Sequence, residues 1–242
     1  MQKLDFKYKG ILIDLDDTLC NTMETFREHG RKAAYEVLKD PLGFKTYKHF
    51  LQLLEEAKKE IKMELAGTAS CHNRILYFKR IGEKLECPLN PELLRSAYRE
   101  YWKNTYKNLK LYPKVRETLE ILKKNSVKMA IVSDMRTEIQ LEKIHHLNLT
   151  QYFDAVITSE EVGVEKPHPA IFLTALHKLQ LLSSEVIMVG DSPSRDIEGA
   201  EALQIESFRI MTRKDRQDNV GGYFKPDHVI NNFSEILNII TI

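Results

Sequence analysis

The chain has little cysteine, and its cysteines are scattered. Its 242 residues include three, Cys20, Cys71 and Cys87, with no close Cys–Cys pair of the kind that binds a metal ion. An odd and sparse set also argues against the disulfide framework of a small secreted protein. We therefore expect reduced thiols. Cys20 either packs as a small apolar residue or senses oxidants.

The chain also lacks an excess of charge and a long apolar run. Lys and Arg total 36 against 35 for Asp and Glu, so no long-range field gathers nucleic acid or acidic lipid. No apolar stretch approaches the roughly 20 residues that span a bilayer, and the first ten residues, MQKLDFKYKG, lack an apolar signal core. The basic run Arg213–Arg216 is predicted to be a solvated loop. We expect a cytoplasmic monomer or homodimer whose partner is a small molecule, not nucleic acid or a membrane.

Short apolar runs rich in β-branched residues alternate with segments of helical period. The runs are predicted to be buried parallel strands, with helices between them at Val115–Lys124, Glu138–Leu147 and Ala170–Leu179. This alternation is typical of a doubly wound, mostly parallel α/β sheet, whose ligand crevice lies outside the carboxyl ends of the strands. The predicted strands are Gly10–Ile13, Val127–Val132, Ala155–Thr158, Val186–Val189, Glu206–Ile210 and His228–Ile230.

Residues 21–108 break this alternation because they contain no convincing strand. Breaks at 40–43, 66–68 and 87–91 divide the segment into about four helices, with Thr68 or Ser70 and Asn90 as candidate N-caps. We therefore predict an α/β core formed by residues 1–20 and 109–242, with an all-helical domain, 21–108, inserted after the first strand.

Two carboxylates follow the first predicted strand. Asp14 and Asp16 are two residues apart at the end of an extended segment, so their side chains point to the same side and both can face one crevice. Two carboxylates held so close raise each other's pKa. The site therefore requires a metal ion or a shared proton.

The other predicted strand ends carry further polar groups. Asp191 and Asp196 follow the fourth strand, Ser133 ends the second, and Lys166 lies beyond the third, just before a helix whose first turn Pro167 can occupy. An all-oxygen acidic cluster suits a hard cation, and Mg²⁺ is the usual choice where a phosphate supplies further ligands. Together the strand ends favour one anionic ligand.

Four segments resemble, in order and spacing, the motifs of the haloacid dehalogenase-like hydrolase superfamily: DLDDT (Asp14–Thr18), the strand end at Ser133, Lys166 in EKPHPAIF, and GDSPSRD (Gly190–Asp196). The resemblance spans the whole core and implies a Rossmann-like fold. The insertion is similar to the helical cap of the C1 subfamily, in its phosphatase branch of nucleotidases and acylneuraminate phosphatases.

This resemblance implies a Mg²⁺-dependent phosphatase that acts on a small phosphorylated metabolite, a nucleotide, sugar or short-acid phosphate. Asp14 is the implied nucleophile, which forms an aspartyl-phosphate, and Asp16 the implied acid–base residue. The Asp14 carboxylate, the Asp16 backbone carbonyl and Asp191 would hold Mg²⁺, with Asp196 in support or reaching through water. Ser133 and Lys166 would bind phosphoryl oxygens.

Two pairs of residues carry narrower predictions. The chain has Ser133–Asp134 where the superfamily often has Asn-Gly. We predict that Asp134 turns its carboxylate away from the phosphate and offers its backbone N–H. In the inserted block, Arg74 and Tyr77 stand at i and i+3 on a helix. They either read the leaving group of the substrate or belong to an ordinary helix face.

Other functions compatible with this fold stay open at this stage. A 2-haloacid dehalogenase uses the same nucleophile, but that family lacks the second aspartate of the first motif and needs no metal. A phosphomutase passes the phosphoryl group to a second substrate hydroxyl instead of water. A phospho-accepting receiver module and a non-catalytic binding protein are the alternatives outside the enzymes; in a receiver the phosphorylated aspartate follows a later strand than the acidic pair.

Overall fold

The computed structural model describes residues 4–22, 24–211 and 225–242. The chain forms two compact units, Met1–Asn21 with Lys110–Ile242, and Thr22–Leu109. The junctions of these units fall one residue later than the predicted junctions at 20/21 and 108/109. The basic run Arg213–Arg216 lies outside the described residues.

The larger unit contains a six-stranded parallel sheet among its described residues, in the order β3-β2-β1-β4-β5-β6. The predicted doubly wound α/β fold is confirmed, because each predicted apolar run forms a strand of this one parallel sheet. The strands are β1 (Gly10–Ile13), β2 (Lys128–Ser133), β3 (Ala155–Thr158), β4 (Val186–Gly190), β5 (Glu206–Ile210) and β6 (His228–Ile230).

This strand order brings the predicted site residues to one edge of the sheet. β1 lies between β2 and β4, with Ile13 in register with Ile131 on one side and Val189 on the other. The residues that follow these three strands therefore leave the sheet side by side.

In the larger unit, helices connect β2 to β3, β3 to β4 and β4 to β5. One core cluster packs helix α8 against β2 and β3 through buried side chains that include Phe172, Leu176, Val132 and Ile157. The helices are α5 (Val115–Lys124), α6 (Thr137–His146), α7 (Ser159–Val162), α8 (Pro169–Leu179), α9 (Glu198–Glu201) and α10 (Ile236–Ile240).

The smaller unit is helical throughout its described residues. Its α-helices are α1 (Glu24–Leu38), α2 (Tyr47–Glu64), α3 (Arg74–Lys84) and α4 (Pro91–Tyr106). Helices α1 and α4 approach closely at Gly30, where a Cβ atom would lie 2.8 Å from the carbonyl oxygen of Tyr101. The predicted breaks coincide with the loops between these helices.

Two local predictions about helix starts were wrong. Helix α3 begins after Asn73, whose side chain accepts a hydrogen bond from the Ile75 N–H, whereas Thr68 precedes only a short 3₁₀ turn that includes Ser70. Pro167 is outside helix α8, which begins at Pro169 because the His168 side chain accepts from Ala170 N–H and caps it. In both cases a nearer side chain satisfies the free N–H groups of the first turn.

No helix among the described residues combines the length and apolar character needed to cross a membrane.

Helix α4 provides a test of local capping. Asn90 accepts a hydrogen bond of 3.0 Å from the Leu93 N–H at an exposed site, and Pro91 occupies the first turn. We expect Asn90→Ala to lower the free energy of unfolding by about 1 kcal/mol, because one backbone donor loses its partner. Denaturant titration measures this, with Asn90→Asp as the control that keeps an acceptor. Equal stability of the Ala and Asp variants would contradict this account of the cap.

Candidate active site

Asp14 lies where the central strand β1 ends. Its backbone N–H donates to the Val189 carbonyl at 2.9 Å, which continues the pairing of β1 with β4 by one residue. The side chain is buried, and its Oδ1 accepts a hydrogen bond of 2.8 Å from Lys166 Nζ. The fold therefore fixes this carboxylate at the edge where the strands end.

Lys166 joins three parts of this edge. A lysine ammonium has three N–H donors, and that of Lys166 donates to Asp14 Oδ1, Asp196 Oδ1 at 2.6 Å and the Val132 carbonyl at 2.9 Å. Its side chain is 2% exposed. Burial lowers the pKa of Lys166, but the carboxylates of Asp14 and Asp196 outweigh it and hold the pKa above its ordinary value.

Asp196 is held from both sides within a π-helical turn, Pro193–Ile197. One oxygen pairs with Lys166, and Oδ2 accepts a hydrogen bond of 3.0 Å from the Ser192 N–H. The carboxylate lies against Gly190, where a Cβ atom would come within 2.3 Å of it. Residue 190 must therefore be glycine for Asp196 to occupy this position.

Asp14, Asp191 and Asp196 form a candidate metal site. Each offers one carboxylate oxygen, and these oxygens all lie within 4.8 Å of one another. Burial raises the pKa of Asp14 to about 7, with Asp196 and Asp16 adding to the effect against Lys166. Burial, then repulsion from Asp14 and Asp196, raises the pKa of Asp191 well above its ordinary value. Three clustered carboxylates fit a hard divalent cation, because the charge of the cation would offset the repulsion between them.

The Asp16 carboxylate is outside this cluster of oxygens. It accepts hydrogen bonds from Lys143 Nζ, at 2.5 and 2.7 Å to its two oxygens, and from Gln140 Nε2 at 3.0 Å. The spacing of Asp14 and Asp16 predicts that both face one crevice. In the structure their carboxylates contact different lysines, Lys166 and Lys143.

Gln140 and Lys143 are site residues that the sequence analysis missed. Both are buried on helix α6, and they stand at i and i+3, so they share one face of that helix. The signal was present in the sequence: two polar residues fall among the buried positions Ile139 and Ile144 of a helix that starts directly after a predicted site strand. The helical period predicts this helix, but none of its residues was among the predicted site residues.

Ser133 and Asp134 lie at the end of β2, as expected. The Ser133 hydroxyl oxygen accepts a hydrogen bond from Gln140 Nε2. Asp134 Oδ1 accepts one of 2.7 Å from the backbone N–H of Lys166, and its Oδ2 lies 3.5 Å from Arg195 Nη1. Burial raises the pKa of the Asp134 carboxyl, against the effect of Lys166. These contacts engage the Asp134 carboxylate with the protein; that it turns away from a bound phosphate stays a prediction.

The loop after Asp16 is built from local contacts. Asp17 has a φ of 63°, in the left-handed region that aspartate tolerates better than most residues, and its N–H donates to the Cys20 carbonyl at 2.9 Å. Cys20 is fully buried, and burial raises the pKa of its thiol. A thiol held in its neutral form is a poor nucleophile, which favours a packing role over oxidant sensing.

Arg74 and Tyr77 belong to helix α3 of the helical unit. The guanidinium of Arg74 lies over the rings of Tyr77, Tyr101 and Trp102, with its carbon 5.3 to 5.6 Å from their centroids. The Tyr77 side chain is buried, and its hydroxyl donates to the Cys71 carbonyl. These contacts favour an interior structural role for Tyr77, and a role in reading the substrate stays a prediction for both residues.

The site holds a buried aspartate at the end of the central strand, paired with a lysine and gathered with two further carboxylates. Fold and site together define an α/β protein with an acidic site at the carboxyl edge of a parallel sheet. The chain belongs to the haloacid dehalogenase-like hydrolases, because the model of that family matches residues 11–210. The predicted family membership is confirmed.

Several relatives that align with nearly the whole chain are phosphatases. A ribulose-1,5-bisphosphate 5-phosphatase from Halopiger xanaduensis is 33% identical, over 96% of this chain and 99% of the relative. A glyceraldehyde 3-phosphate phosphatase from Methanocaldococcus jannaschii is 29% identical, over 96% of each chain. A solved structure, a HAD phosphatase from Thermococcus onnurineus, has a TM-score of 0.72 at 26% identity, over 96% of this chain and 97% of that one. The chain is thus a phosphatase of this family.

The close approach at Gly190 yields a test of the site's packing. In Gly190→Ala the new Cβ would displace the Asp196 carboxylate, which lies within 2.3 Å of it. We expect the free energy of unfolding to fall by about 1–3 kcal/mol, as for overpacked sites in general. Gly82→Ala is the matched control, because no atom beyond its chain neighbours and its own helical backbone lies within 4 Å of its Cβ position. Denaturant titration compares the two, and an equal effect would contradict the packing argument.

The carboxylate cluster predicts opposite effects of one substitution with and without metal. Folding raises the pKa of Asp191, so this carboxyl ionises less readily in the folded protein than in the unfolded chain. At a pH above the pKa of the unfolded chain this difference lowers the free energy of unfolding, and pH 8 lies in that range. In EDTA we therefore expect Asp191→Asn to raise the melting temperature by about 2–4 °C.

With Mg²⁺ we expect the order to reverse. The wild type should gain stability by binding the ion, and Asp191→Asn should gain little. Thermal unfolding at pH 8 with EDTA and with Mg²⁺ measures both effects, and Glu201→Gln, at an exposed carboxylate, is the control. A variant that Mg²⁺ stabilises as much as the wild type would remove Asp191 from the metal site.

Proposed function

We propose that this protein is a Mg²⁺-dependent phosphatase that hydrolyses a small phosphate monoester through an aspartyl-phosphate on Asp14. The observation that carries the proposal is the setting of Asp14: a buried carboxylate that contacts Lys166 and shares a cluster of oxygens with Asp191 and Asp196. Such a site suits a nucleophile that must meet an anionic substrate, because positive charge offsets the repulsion between them.

In the first step the Asp14 carboxylate attacks phosphorus, and the bond from phosphorus to the ester oxygen breaks as Asp16 gives that oxygen a proton. In the second step Asp16 takes a proton from water, and the resulting hydroxide attacks phosphorus. The bond from phosphorus to Asp14 then breaks, which releases phosphate and restores the carboxylate. We assign Asp16 to both steps.

Three further residues serve the phosphoryl group and the metal. The Ser133 hydroxyl donates a hydrogen bond to a phosphoryl oxygen, and Lys166 places a positive charge beside Asp14. Asp14, Asp191 and Asp196 would hold Mg²⁺, with the Asp16 backbone carbonyl as a further oxygen ligand. When bound, the ion supplies positive charge that favours the ionised form of Asp14 and offsets the charge of the phosphoryl group.

We propose a small sugar phosphate as the substrate class. The support is that the relatives from Halopiger xanaduensis and Methanocaldococcus jannaschii, named for ribulose 1,5-bisphosphate and glyceraldehyde 3-phosphate, align over 96% of this chain. Three further statements stay predictions: the protein acts in the cytoplasm, it is a monomer or homodimer, and the helical unit serves as a cap.

Phosphate release tests the proposal. The panel comprises triose, pentose and hexose phosphates, a sugar bisphosphate, nucleotides and short-acid phosphates, each with and without Mg²⁺. We expect release that depends on Mg²⁺ and is highest with sugar phosphates, and a loss of at least about 10³-fold in Asp14→Asn, because removal of a nucleophile removes its step.

Glu201→Gln is the control in the same assay, because this exposed carboxylate is outside the cluster. Release that persists in Asp14→Asn would refute Asp14 as nucleophile. Conversion of a sugar phosphate to an isomer without release of phosphate would identify a mutase, and release of halide from a 2-haloacid would identify a dehalogenase.

A further inference from the structure

We propose that Lys143 and Gln140 are positioning residues that fix the Asp16 carboxylate for its acid–base steps and couple it to Ser133. This inference deepens the proposed function and rests on it. Its basis is that both buried side chains reach the Asp16 carboxylate from helix α6, and that Gln140 also reaches Ser133.

The burial of Lys143 needs an explanation beyond stability. Its side chain is 3% exposed, while the carboxylate that it faces belongs to a side chain that is 24% exposed. Removing a charge from water is costly, and apolar residues at such positions are often equally or more stabilising than an ion pair. Ile139 and Ile144 already pack apolar side chains on the same helix. A lysine here is thus better explained by its effect on Asp16.

The contacts of Lys143 fix the orientation of the carboxylate. Its ammonium lies within 2.7 Å of both Asp16 oxygens, and Gln140 Nε2 adds a third contact of 3.0 Å to Oδ2. Two donors from one helix restrain rotation of the carboxylate about its side-chain bonds. A group that moves protons in two successive steps gains from such restraint, since a displacement of about 1 Å can cost 10²-fold in rate.

Gln140 also sets the direction of the Ser133 hydroxyl. Its amide N–H donates to the Ser133 oxygen, so the hydroxyl proton is directed to another acceptor. A phosphoryl oxygen is such an acceptor. One side chain therefore links the residue that binds phosphate with the residue that moves the proton.

A double-mutant cycle tests this coupling, with p-nitrophenyl phosphate and Mg²⁺ as the assay. We expect Lys143→Met to lower kcat about 10–100-fold with KM changed less than about twofold. Asp16→Asn should lower kcat about 10²–10⁴-fold. If Lys143 acts through Asp16, adding Lys143→Met to Asp16→Asn should lower kcat by less than a further twofold or so. Additive losses would show an independent structural effect and overturn the inference.

Matched variants keep the result decisive. Lys123→Met removes another lysine–carboxylate pair of the same unit, with Asp154, and should leave kcat unchanged. Gln140→Met repeats the cycle if Lys143→Met does not fold, as judged by its thermal unfolding. Crystal structures of the wild type and the folded variant give a readout without turnover: we expect the Asp16 carboxylate to move by about 1 Å or more, and an unchanged position would overturn the inference.

The outcome also separates this inference from the function on which it rests. A wild type that releases phosphate from no compound of the panel would overturn both. If the wild type is active and both Lys143→Met and Gln140→Met have the same kcat as the wild type, only the role of these two residues is overturned.

Discussion

The three hydrogen bonds of the Lys166 ammonium are the constraint on which the site depends. They join the end of β1 through Asp14, the end of β2 through the Val132 carbonyl, and the turn after β4 through Asp196. These are different parts of the chain, and the parallel order of the sheet brings them together. A buried ammonium with all its donors satisfied tolerates little displacement, because each lost partner would leave an unpaired charge or donor.

This interaction leaves the site with excess negative charge. Lys166 offsets part of the charge of Asp14 and Asp196, yet burial and neighbouring carboxylates raise the pKa of Asp14 to about 7. Burial, with Asp14 and Asp196, also raises the pKa of Asp191 well above its ordinary value. A fold selected for stability alone would not gather these carboxylates in a buried place. This loss of stability fits the proposed function, in which a cation and a phosphoryl group bind at these carboxylates.

The sequence predicted features that depend on local residue patterns or on which residues follow each strand. The bounds of β1, β3, β5 and β6 were predicted to the residue. Strand β1 shows the reason most clearly, because all four of its residues are buried, as in a parallel strand covered on both faces. The residues that follow β1, β2 and β4 were correctly placed at one edge, since a parallel sheet brings its carboxyl ends together.

What escaped prediction depends on contacts distant in the sequence. Lys143 and Gln140 meet Asp16 across more than a hundred residues, and in the sequence they look like polar positions of an amphipathic helix. The cap of helix α3 was misplaced for a different reason. Thr68, Ser70 and Asn73 are all good N-cap residues, and only the backbone geometry decides which one is used.

The two aspartates of the first motif lie in different surroundings, which suits the different tasks proposed for them. Asp14 and Asp16 are separated by one residue, but Asp14 is buried against Lys166 and two carboxylates, whereas Asp16 is partly exposed and held by Lys143 and Gln140. Carboxylates in different surroundings can take different roles in one reaction, as pairs of acidic residues in other hydrolases do. The core therefore supplies two lysines for two aspartates. One lysine sets the charge around the proposed nucleophile, and the other sets the direction of the proposed proton carrier.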